Sequence, residues 1–495
     1  MVDTLKVGGK TLHPHQMTAV RWMIERETDP LVCGGFLCDE MGLGKTLTVL
    51  GLFKTSRVRR NLILGPLAVL HQWSSAAAQL GFAVFTLEQT REWKQVGGNI
   101  LKGSIYIANY DKLTANYKDA FTTKFHRIIF DEAHTLRNEE STKRIFAKSV
   151  QGDRKWLLTG TPIVNGITDF VSLMKLLKPT YKYTSYQDVR QTMRAYALCR
   201  RVGHVRARFP EIFPADPLVK THELDFSTEE EAKFYRSIQG ILADELQHLL
   251  AADRLDLGGF MTLLLRLRQI SVHPQTYINA KRREQGVLYT RPDWVGHSTK
   301  SEKIVQLLQE EQNPKGFVIF CNFKDEMELL KERIEAEGCV EKVLLYHGGM
   351  SVAERQSALQ DLEDTKRKIS SSFIYELCKH PTLRNLPVDI LQTIRTAVGS
   401  RHVVLLAQIQ SAGTGLNLQF MDRVIFNTPW WTAALMDQAA GRVLRLGQKE
   451  RVVIHHLVLK EEMEQSLNID RFISKKVEEK RELCDMLLDA ANHSL

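Results

Sequence analysis

One stretch of the chain combines glycines, a lysine and a threonine at the spacing of a phosphate-binding loop. It consists of Asp39, Glu40, Met41, Gly42, Leu43, Gly44, Lys45 and Thr46. The apolar run 36–38 precedes it and the helical pattern 47–54 follows it, which is the strand–loop–helix context that a P-loop requires. This pattern predicts that the eight residues bind a nucleoside triphosphate.

Four residues of this loop have separate chemical roles in the prediction. Gly42 and Gly44 let backbone N–H groups close on phosphate oxygens, and the N-terminus of the following helix adds its positive dipole end. Lys45 reaches the β- and γ-phosphates, and Thr46 binds Mg²⁺ through its hydroxyl. Asp39 stands where the general pattern has its first glycine. ATP and Mg²⁺ are therefore the expected cofactors.

A second group of polar residues, Asp-Glu-Ala-His at 131–134, follows the apolar run 127–130. An acid at the C-terminal tip of a parallel strand lies beside the P-loop in such sheets. We expect Asp131 to hold Mg²⁺ through water, and Glu132 to orient and deprotonate the attacking water. The alternative is an acid pair that only caps a helix. Upstream of the P-loop, the two-sided amide of Gln16 could read the edge of an adenine.

The elements that must position these residues are visible as short apolar runs separated by helical patterns. The runs are 36–38, 62–64, 105–108, 127–130 and 156–158, and then 317–320, 343–346, 403–407, 424–426 and 452–457. Continuous apolar strands alternating with helices are typical of parallel sheets covered on both faces. The predicted fold class is therefore α/β, with one such sheet before residue 178 and another after about residue 300.

The segment between the two sets, 179–297, is mostly helical in pattern and has no series of buried strands. Within it, residues 182–208 contain seven basic residues against the single acid Asp188, a net charge of +6. Tyr183, Tyr186 and Tyr196 are interleaved with these charges. The stretch is either a solvated helical face or a surface that follows phosphates, and the sequence leaves both open.

Composition limits the class of protein more than its function. Over 495 residues, 67 Lys and Arg against 58 Asp and Glu give a net charge of +9, which suggests a polyanionic partner only weakly. Ordinary globular composition excludes a mainly disordered or collagen-like chain. No run approaches a membrane span, and no secretory signal is visible. Seven dispersed cysteines without C-x-x-C favour reduced thiols in an intracellular protein over disulfides or zinc.

Further motifs follow the P-loop along the chain. They are LGPL at 64–67, HQW at 71–73, ANYD at 108–111, LTGTP at 158–162, LLLRLRQISVHP at 263–274, SAGTGLNL at 411–418, PWW at 429–431 and DQAAGRVLRLGQ at 437–448. With DEMGLGKT at 39–46, this set resembles the Swi/Snf-like DNA-translocase ATPases of helicase superfamily two, the branch that includes chromatin remodellers. Asp39 in the first P-loop position is the form that this branch uses. The resemblance covers about residues 10–480.

The resemblance implies two RecA-like lobes with ATP in the cleft between them, a helical insertion between the lobes and a C-terminal brace helix. Arg442 and Arg445, three residues apart on one face of a helix over 437–448, would act as arginine fingers on the γ-phosphoryl group. The implied catalytic residues are Lys45, Glu132, Arg442 and Arg445. The implied residues that couple hydrolysis to domain movement are Thr159, Gly160 and Thr161.

Motors of this superfamily hold the phosphates of one strand through groups that carry no sequence information. By motif, the expected DNA contacts are Gly65, His71, Asn109, Asn322, Ser411 and Trp430. Trp430 and Trp431 could instead be core aromatics of the second lobe. The expected domains are lobe 1 at 1–178, the helical segment at 179–297, lobe 2 at 298–459 with an insert at about 364–400, and the brace helix at 460–495.

Three functions are compatible with these motifs. The first is an ATPase that translocates along duplex DNA, with displacement or remodelling of bound proteins as a further step. The second is a strand-separating helicase with the same ATP site, and the third is a nucleotide-gated DNA-binding scaffold with little turnover.

The expected partners are duplex DNA and, beyond it, nucleosomes or other DNA-bound proteins, but no membrane. The expected location is the nucleus or wherever the genome is, including the cytoplasm for a viral protein. The insert is either a partner surface or a neutral surface excursion.

Overall fold

The computed structural model describes residues 5–7, 10–56, 60–164, 166–210, 215–251, 257–311, 313–370, 401–412, 416–445, 448–460 and 468–488. The strands are β1 (Lys6–Val7), β2 (Lys10–Thr11), β3 (Gly34–Leu37), β4 (Arg60–Gly65), β5 (Phe82–Leu87), β6 (Trp93–Gly97), β7 (Asn99–Asn109), β8 (Phe125–Asp131), β9 (Gly152–Leu158), β10 (Ala197–Leu198), β11 (Leu218–Leu224), β12 (Gly316–Cys321), β13 (Val340–Tyr346), β14 (His402–Gln408), β15 (Arg423–Phe426) and β16 (Val453–Leu459). The helices are α1 (Pro14–Arg26), α2 (Lys45–Thr55), α3 (Leu67–Gln79), α4 (Thr142–Ser149), α5 (Ile167–Leu177), α6 (Tyr186–Tyr196), α7 (Val202–Arg208), α8 (Glu229–Ala251), α9 (Leu257–Val272), α10 (Pro274–Gln285), α11 (Thr299–Glu310), α12 (Lys324–Ala336), α13 (Val352–Ser370), α14 (Ile409–Ala412), α15 (Ala433–Ala440) and α16 (Ile469–Leu488).

The first lobe is built on an eight-stranded sheet with the order β10-β3-β9-β8-β4-β7-β5-β6. Neighbouring strands are parallel, apart from the antiparallel pair β5–β6 at one edge. Side chains of one strand alternate between two apolar clusters, so that Phe36 and Cys38 belong to one cluster and Leu37 to the other. Burial on both faces explains why these strands are continuous apolar runs in the sequence.

The second lobe is built on a six-stranded sheet with the order β11-β16-β15-β12-β14-β13, and its neighbouring strands are all parallel. Val318 and Phe320 lie in one apolar cluster, and Phe317 and Ile319 lie in another. Each predicted strand overlaps one strand of these two sheets. The two parallel-sheet lobes confirm the predicted fold class.

The helices between the lobes pack together with the C-terminal helix. Helices α8, α9, α10 and α16 share an apolar core with the end of β16, which includes Phe234, Ile238, Leu267, Ile278, Leu459 and Ile473. A buried ion pair of 2.6 Å between Lys300 Nζ and Asp470 Oδ2 joins α11 to α16. The backbone N–H of Leu459 donates to the same carboxylate oxygen over 3.1 Å. Helices α8, α9 and α10 of the helical insertion are therefore anchored on the second lobe, whereas α6 packs against the core of the first lobe.

The sheet order contradicts two details of the predicted domain division. Strand β10 lies after residue 178 but pairs with β3 in the first sheet, and β11 lies before residue 298 but pairs with β16 in the second sheet. Residues 179–297, which were expected to hold no series of buried strands, therefore contribute one strand to each sheet in addition to their helices. Neither strand gives an apolar run, because β10 has only two residues and most side chains of β11 are exposed.

Parts of two predicted features lie outside the described residues. Helix α13 covers the start of the predicted insert, where Lys366 Nζ forms an ion pair of 2.6 Å with Asp422 Oδ2, whereas residues 371–400 are not described. The brace helix is described from Ile469 as α16, and residues 461–467 are not described. Within the described ranges, none of the helices is both long and apolar enough to cross a membrane.

Candidate active site

The loop between β3 and α2 has the backbone shape of a phosphate cradle. Gly42 and Gly44 have φ angles of 90° and 80°, in the left-handed region that favours glycine. A Cβ atom on Gly44 would also lie 2.3 Å from the side-chain nitrogen of Gln16, which would have to move. Gly44 is also the N-cap of α2 and provides no side-chain hydrogen bond to the helix. The first N–H groups of α2 therefore face an anion site rather than a side-chain cap.

Lys45 is the first residue of α2 and lies against the loop that it follows. Its ammonium donates to the backbone oxygen of Asp39 over 2.7 Å. The Asp39 carboxylate is fully buried and is bound by the guanidinium of Arg200, so any contact between Asp39 and nucleotide involves its backbone. Gly160 lies beside this loop, since a Cβ on it would be 3.8 Å from Lys45 Nζ.

Gln16 is buried at the start of α1, directly beside the P-loop. Its side-chain oxygen accepts from the backbone N–H of His13 over 3.0 Å, and its amide nitrogen donates to the Leu43 oxygen over 3.1 Å. The same Leu43 oxygen accepts from Nε2 of His15 over 3.0 Å. Burial lowers the pKa of His15 to about 4, so this ring is neutral at pH 7. The predicted contact of Gln16 with adenine remains a prediction.

The acid pair lies at the carboxyl end of β8. Asp131 Oδ2 accepts from the indole nitrogen of Trp73 over 2.7 Å, and Oδ1 accepts from the backbone N–H of Glu132 over 3.0 Å. Burial and the charge of Glu132 raise the pKa of Asp131 to about 6, against the opposing effects of Trp73 and Lys45. Glu132 itself has φ 48° and ψ 50°, a left-handed conformation that is strained for a residue other than glycine.

A chain of polar contacts leads from the acid pair to two of the predicted coupling residues. His134 Nδ1 lies 3.5 Å from Glu132 Oε2 and 3.3 Å from Thr159 Oγ1. The backbone N–H of Thr161 donates to Thr159 Oγ1 over 3.1 Å. Burial lowers the pKa of His134, which keeps the ring mostly neutral. A change at Glu132 can thus reach Thr159 through one imidazole.

The two predicted finger arginines come from the second lobe but do not lie on a helix. Helix α15 ends at Ala440, and the N–H of Arg442 bonds to Ala439 three residues back. The predicted helix over 437–448 was therefore wrong beyond residue 440, where Gly441 ends it. Arg442 is 3% exposed, and the charges of Glu132 and Asp131 counteract the effect of burial, which lowers its pKa.

The segment around Arg442 meets the P-loop of the first lobe. A Cβ on Gly441 would lie 3.2 Å from the Cβ of Met41, and a Cβ on Gly42 would lie 3.2 Å from the backbone oxygen of Leu444. These distances show that the backbones of the two segments approach closely. The structure thus brings the P-loop, the acid pair and Arg442 into one cleft between the lobes.

The predicted DNA contacts of the first lobe follow two neighbouring strands. Gly65 ends β4 and is in register with Asn109 at the end of β7. A Cβ on Gly65 would lie 3.3 Å from the Cβ of Asp131, so this glycine also makes room for the acid pair. His71 is exposed on α3, the helix that follows Gly65. These residues lie at the carboxyl edge of the sheet or on the helix that begins there.

In the second lobe the predicted DNA contacts also follow the ends of strands. Asn322 follows β12, and its side chain donates to Thr428 Oγ1. Ser411 follows β14 in α14. Trp430 is half-buried, packs against a core cluster of this lobe and lies 4.8 Å from the guanidinium of Arg268. These contacts favour the interpretation of Trp430 as a core aromatic, and its contact with DNA stays a prediction.

Three residues of the site have contacts that the motifs containing them did not predict. Trp73 and Tyr110 belong to motifs that were expected to contact DNA, but Trp73 binds the Asp131 side chain and the Tyr110 hydroxyl donates to the Asp131 backbone oxygen over 2.7 Å. Arg200 belongs to the basic stretch 182–208, but it is 2% exposed and therefore does not contact a phosphate backbone. Each of the three has a large side chain with a polar group at its tip, which can satisfy a buried partner.

Family models match both parts of the chain. The model described as SNF2-related domain matches residues 15–276, and the model described as Helicase conserved C-terminal domain matches residues 299–373 and 385–447. A probable global transactivator of Orgyia pseudotsugata multicapsid polyhedrosis virus is 24% identical, over 98% of this chain and 93% of its own length. A putative ATP-dependent helicase/translocase of Bacillus subtilis, YwqA, is 23% identical over 97% of this chain.

Other relatives are longer than this chain. The chain spans 49% of the Bacillus subtilis protein and 42% of a human SWI/SNF-related regulator of chromatin, to which it is 23% identical. Among solved structures, the Sulfolobus solfataricus SWI2/SNF2 ATPase core in complex with dsDNA is 21% identical and aligns over 99% of this chain, with a TM-score of 0.39. Because the SNF2-related model covers more than half of the chain and the helicase model covers the second lobe, the chain belongs to the SNF2 family of DNA-dependent, helicase-like ATPases.

Proposed function

We propose that this chain hydrolyses ATP in the cleft between its lobes and couples hydrolysis to translocation along duplex DNA without separating the strands. The observation that supports this most directly is the position of two cations from opposite lobes. Lys45 begins α2 in the first lobe, and Arg442 follows Gly441 of the second lobe, on which a Cβ would lie 3.2 Å from the Cβ of Met41 in the P-loop. The charge of Lys45 lowers the pKa of Asp131, and the charge of Asp131 raises the pKa of Arg442. Phosphoryl transfer needs such cations around the transferred group and an acid that positions the attacking water.

The residues present fit ATP and Mg²⁺. The uncapped N-terminus of α2 and the Lys45 ammonium suit a chain of phosphates. Asp131 and Thr46 supply the hard oxygen ligands that Mg²⁺ prefers. No group of three or more His, Cys, Asp or Glu residues in the described part of the chain could hold a metal ion. This fits an Mg²⁺ that is bound mainly by phosphate oxygens and water.

Each residue of the cleft has one role in this proposal. Bound ATP–Mg²⁺ would supply the γ-phosphoryl group that is transferred to water. Lys45 binds the β- and γ-phosphates, and Glu132 orients the attacking water and takes its proton. Arg442 stabilises the negative charge that develops on the phosphoryl oxygens. Contacts through His134 then carry the change to Thr159.

Duplex DNA is the proposed track, and nucleosomes or other DNA-bound proteins are the proposed obstacles on it. The predicted phosphate contacts follow strand ends in both lobes, so closure of the cleft would move two sets of contacts relative to each other. A relative that is named a helicase/translocase is in accord with a motor activity. Strand separation is the second candidate, because relatives carry the name helicase.

ATP hydrolysis should be measured without DNA and with single-stranded DNA, duplex DNA and nucleosomes in parallel. We expect duplex DNA to raise the rate about tenfold or more, and Glu132→Gln to reduce it about a hundredfold or more. Displacement of a third strand from a triplex would report translocation. A rate that does not rise with duplex DNA would contradict the proposal, and release of a labelled strand from a partial duplex would favour the helicase.

A further inference from the structure

The first part of the P-loop, from Asp39 to Leu43, is bound by a segment that lies about 160 residues later in the chain. We call residues 197–209 the P-loop strap. Its first two residues form β10 beside β3, and the pairing continues past the end of β3. The N–H of Cys38 donates to the Leu198 oxygen over 2.8 Å, and the N–H of Glu40 donates to the Arg200 oxygen over 2.9 Å. The strap is thus hydrogen-bonded to the P-loop backbone itself.

Arg200 makes the central contacts of the strap. Its Nε donates to Asp39 Oδ1 over 2.8 Å, and its two terminal nitrogens donate to Asp39 Oδ2 and to the backbone oxygen of His15. Arg200 is 2% exposed and Asp39 is 0% exposed, so water cannot replace either partner. A buried carboxylate needs such a partner, because an uncompensated charge is strongly disfavoured in the interior.

Two further contacts hold the P-loop at Glu40 and at Leu43. The Glu40 carboxylate accepts from the backbone N–H of Val202, the first residue of α7, over 2.6 Å. Leu43 and Val205 are fully buried against each other. The strap therefore contacts the loop at Asp39, Glu40 and Leu43, before and within the glycines where the resemblance places the bound phosphates.

These contacts connect three parts of the nucleotide site. Arg200 holds Asp39, whose backbone oxygen accepts from the Lys45 ammonium. Arg200 also holds the backbone oxygen of His15, the residue before Gln16. After the strap the chain continues to β11, which pairs with β16 in the second sheet. The strap is therefore the point at which the chain leaves the P-loop for the other lobe.

We propose that Arg200 is a positioning residue for nucleotide binding, and that the strap ties the P-loop to the chain segment that enters the second lobe. This inference rests on the proposed function, since it assigns the P-loop to ATP. It also explains the aspartate at the first P-loop position. A carboxylate there lets a residue from the strap fix the loop, which a glycine could not do. Arg200 does not touch the nucleotide in this proposal and acts through Asp39.

Two variants loosen the strap in different ways. Arg200→Lys keeps the positive charge but replaces the guanidinium fork with one ammonium, which cannot keep all three contacts. Val202→Pro removes the N–H that donates to the Glu40 carboxylate and keeps an apolar side chain beside Leu43 and Val205. Proline is favoured at the first position of a helix, and Arg201 before it is already extended, with φ −99° and ψ 149°, so α7 can still start there. Arg190→Met, on the exposed face of α6, is the matched control for charge in the same basic stretch.

Hydrogen exchange of the peptide that covers residues 39–46 should be measured without nucleotide, together with the dissociation constant for ATP, the affinity for duplex DNA and the melting temperature. In Arg200→Lys and Val202→Pro we expect exchange of this peptide to be about tenfold faster and ATP binding about tenfold weaker, which corresponds to the loss of one or two hydrogen bonds. DNA affinity should stay within about twofold, because neither contact faces DNA. Arg190→Met should leave exchange and ATP binding unchanged.

The inference is overturned if either strap variant folds with a wild-type melting temperature and shows unchanged exchange at residues 39–46. Faster exchange throughout the first sheet with a lowered melting temperature would also overturn it, since Arg200 would then be a general stability residue. If Arg200→Lys does not fold, Val202→Pro decides alone. If the wild-type chain does not bind ATP, the proposed function fails, whereas the exchange measurement still decides whether the strap holds the loop.

Discussion

Arg442 and Arg445 are three residues apart, yet their surroundings differ. The guanidinium of Arg442 is within reach of the charges of Glu132 and Asp131 in the other lobe. Arg445 Nε donates to the backbone oxygen of Gly441 over 3.2 Å. Burial and repulsion from Arg442 lower the pKa of Arg445 to about 10. Arg442 is therefore the one of the two that faces the acids expected to position water.

Arg442→Lys should reduce DNA-stimulated ATP hydrolysis by about 10²- to 10³-fold, because one ammonium cannot replace a guanidinium fork at a developing phosphoryl charge. Arg445→Lys should cost less than about tenfold. Steady-state kcat with saturating duplex DNA measures both, and Arg190→Lys on the exposed side of α6 is the control. Equal losses at the two arginines would show that both act on the phosphoryl group.

At the scale of elements, His402 joins three of them. It is the first residue of β14, and its Nδ1 accepts from the backbone N–H of Lys315 over 3.1 Å, just before β12. Its Nε2 donates to the backbone oxygen of Leu308 in α11 over 2.9 Å. Both bonds require the neutral ring with its proton on Nε2, since a backbone N–H donates and a carbonyl accepts. Burial lowers the pKa of His402 to about 4.

This histidine should make the second lobe less stable in acid. In the unfolded chain the pKa of this histidine is about 6.5, so between about pH 4 and 6.5 the unfolded chain binds more protons than the folded chain. The free energy of unfolding therefore falls as the pH decreases through that range. At pH 5 the loss from this one group is about 2 kcal/mol. Denaturant unfolding at pH 7.5 and pH 5 should show that His402→Gln loses less unfolding free energy between the two pH values than the wild type does.

The exposed His126 provides the control for this measurement. His126→Gln should keep the wild-type difference in stability between the two pH values, because its ring is in water in both states. If His402→Gln lost as much stability as the wild type between pH 7.5 and pH 5, the two bonds of the ring would not be the cause of the acid sensitivity.

At the scale of the whole molecule, the lobes meet in the cleft where the nucleotide is proposed to bind. The P-loop residues Met41 and Gly42 lie against the segment that includes Gly441 and Leu444. Helix α16 packs on the second lobe and also approaches α6 of the first lobe. The relative position of the lobes therefore depends on the cleft and on the C-terminal helix together.

Gly441→Val tests the contact in the cleft. Gly441 has φ −64°, which any residue adopts, so the backbone is not strained by the change. The added Cβ would lie 3.2 Å from the Cβ of Met41, however, and larger side chains would force the lobes apart. We expect overpacking to destabilise the closed arrangement of the lobes by about 1–3 kcal/mol. The rate of ATP hydrolysis should therefore fall by about tenfold or more. The melting temperatures of the separate lobes should change little.

Gly240→Val is the matched control, because a Cβ at Gly240 in α8 meets no atom within 4 Å. Small-angle scattering with and without ATP would show whether the variant prevents closure. Wild-type hydrolysis by Gly441→Val would mean that the close approach of Met41 and Gly441 is not required for the reaction.

The sequence by itself determined the features that depend on neighbours along the chain. Strand positions followed from continuous apolar runs, because burial on both faces of the sheet favours apolar residues, such as Leu62 and Phe317, at every position of a strand. The P-loop followed from glycines and a lysine between a strand and a helix, and Asp131 from its place at the end of β8. The order of the motifs indicated the family before any contact between them was known.

Only the tertiary structure decided which distant residues meet. Arg200 lies 161 positions from Asp39, and Trp73 lies 58 positions from Asp131, so no local pattern relates them. The two-residue strand β10 and the exposed strand β11 joined opposite sheets without an apolar signal. A basic residue in a charged stretch has the same sequence signature whether it faces DNA or a buried carboxylate. The difference lies in the solvent exposure of Arg200, which is set by the packing of the chain around it.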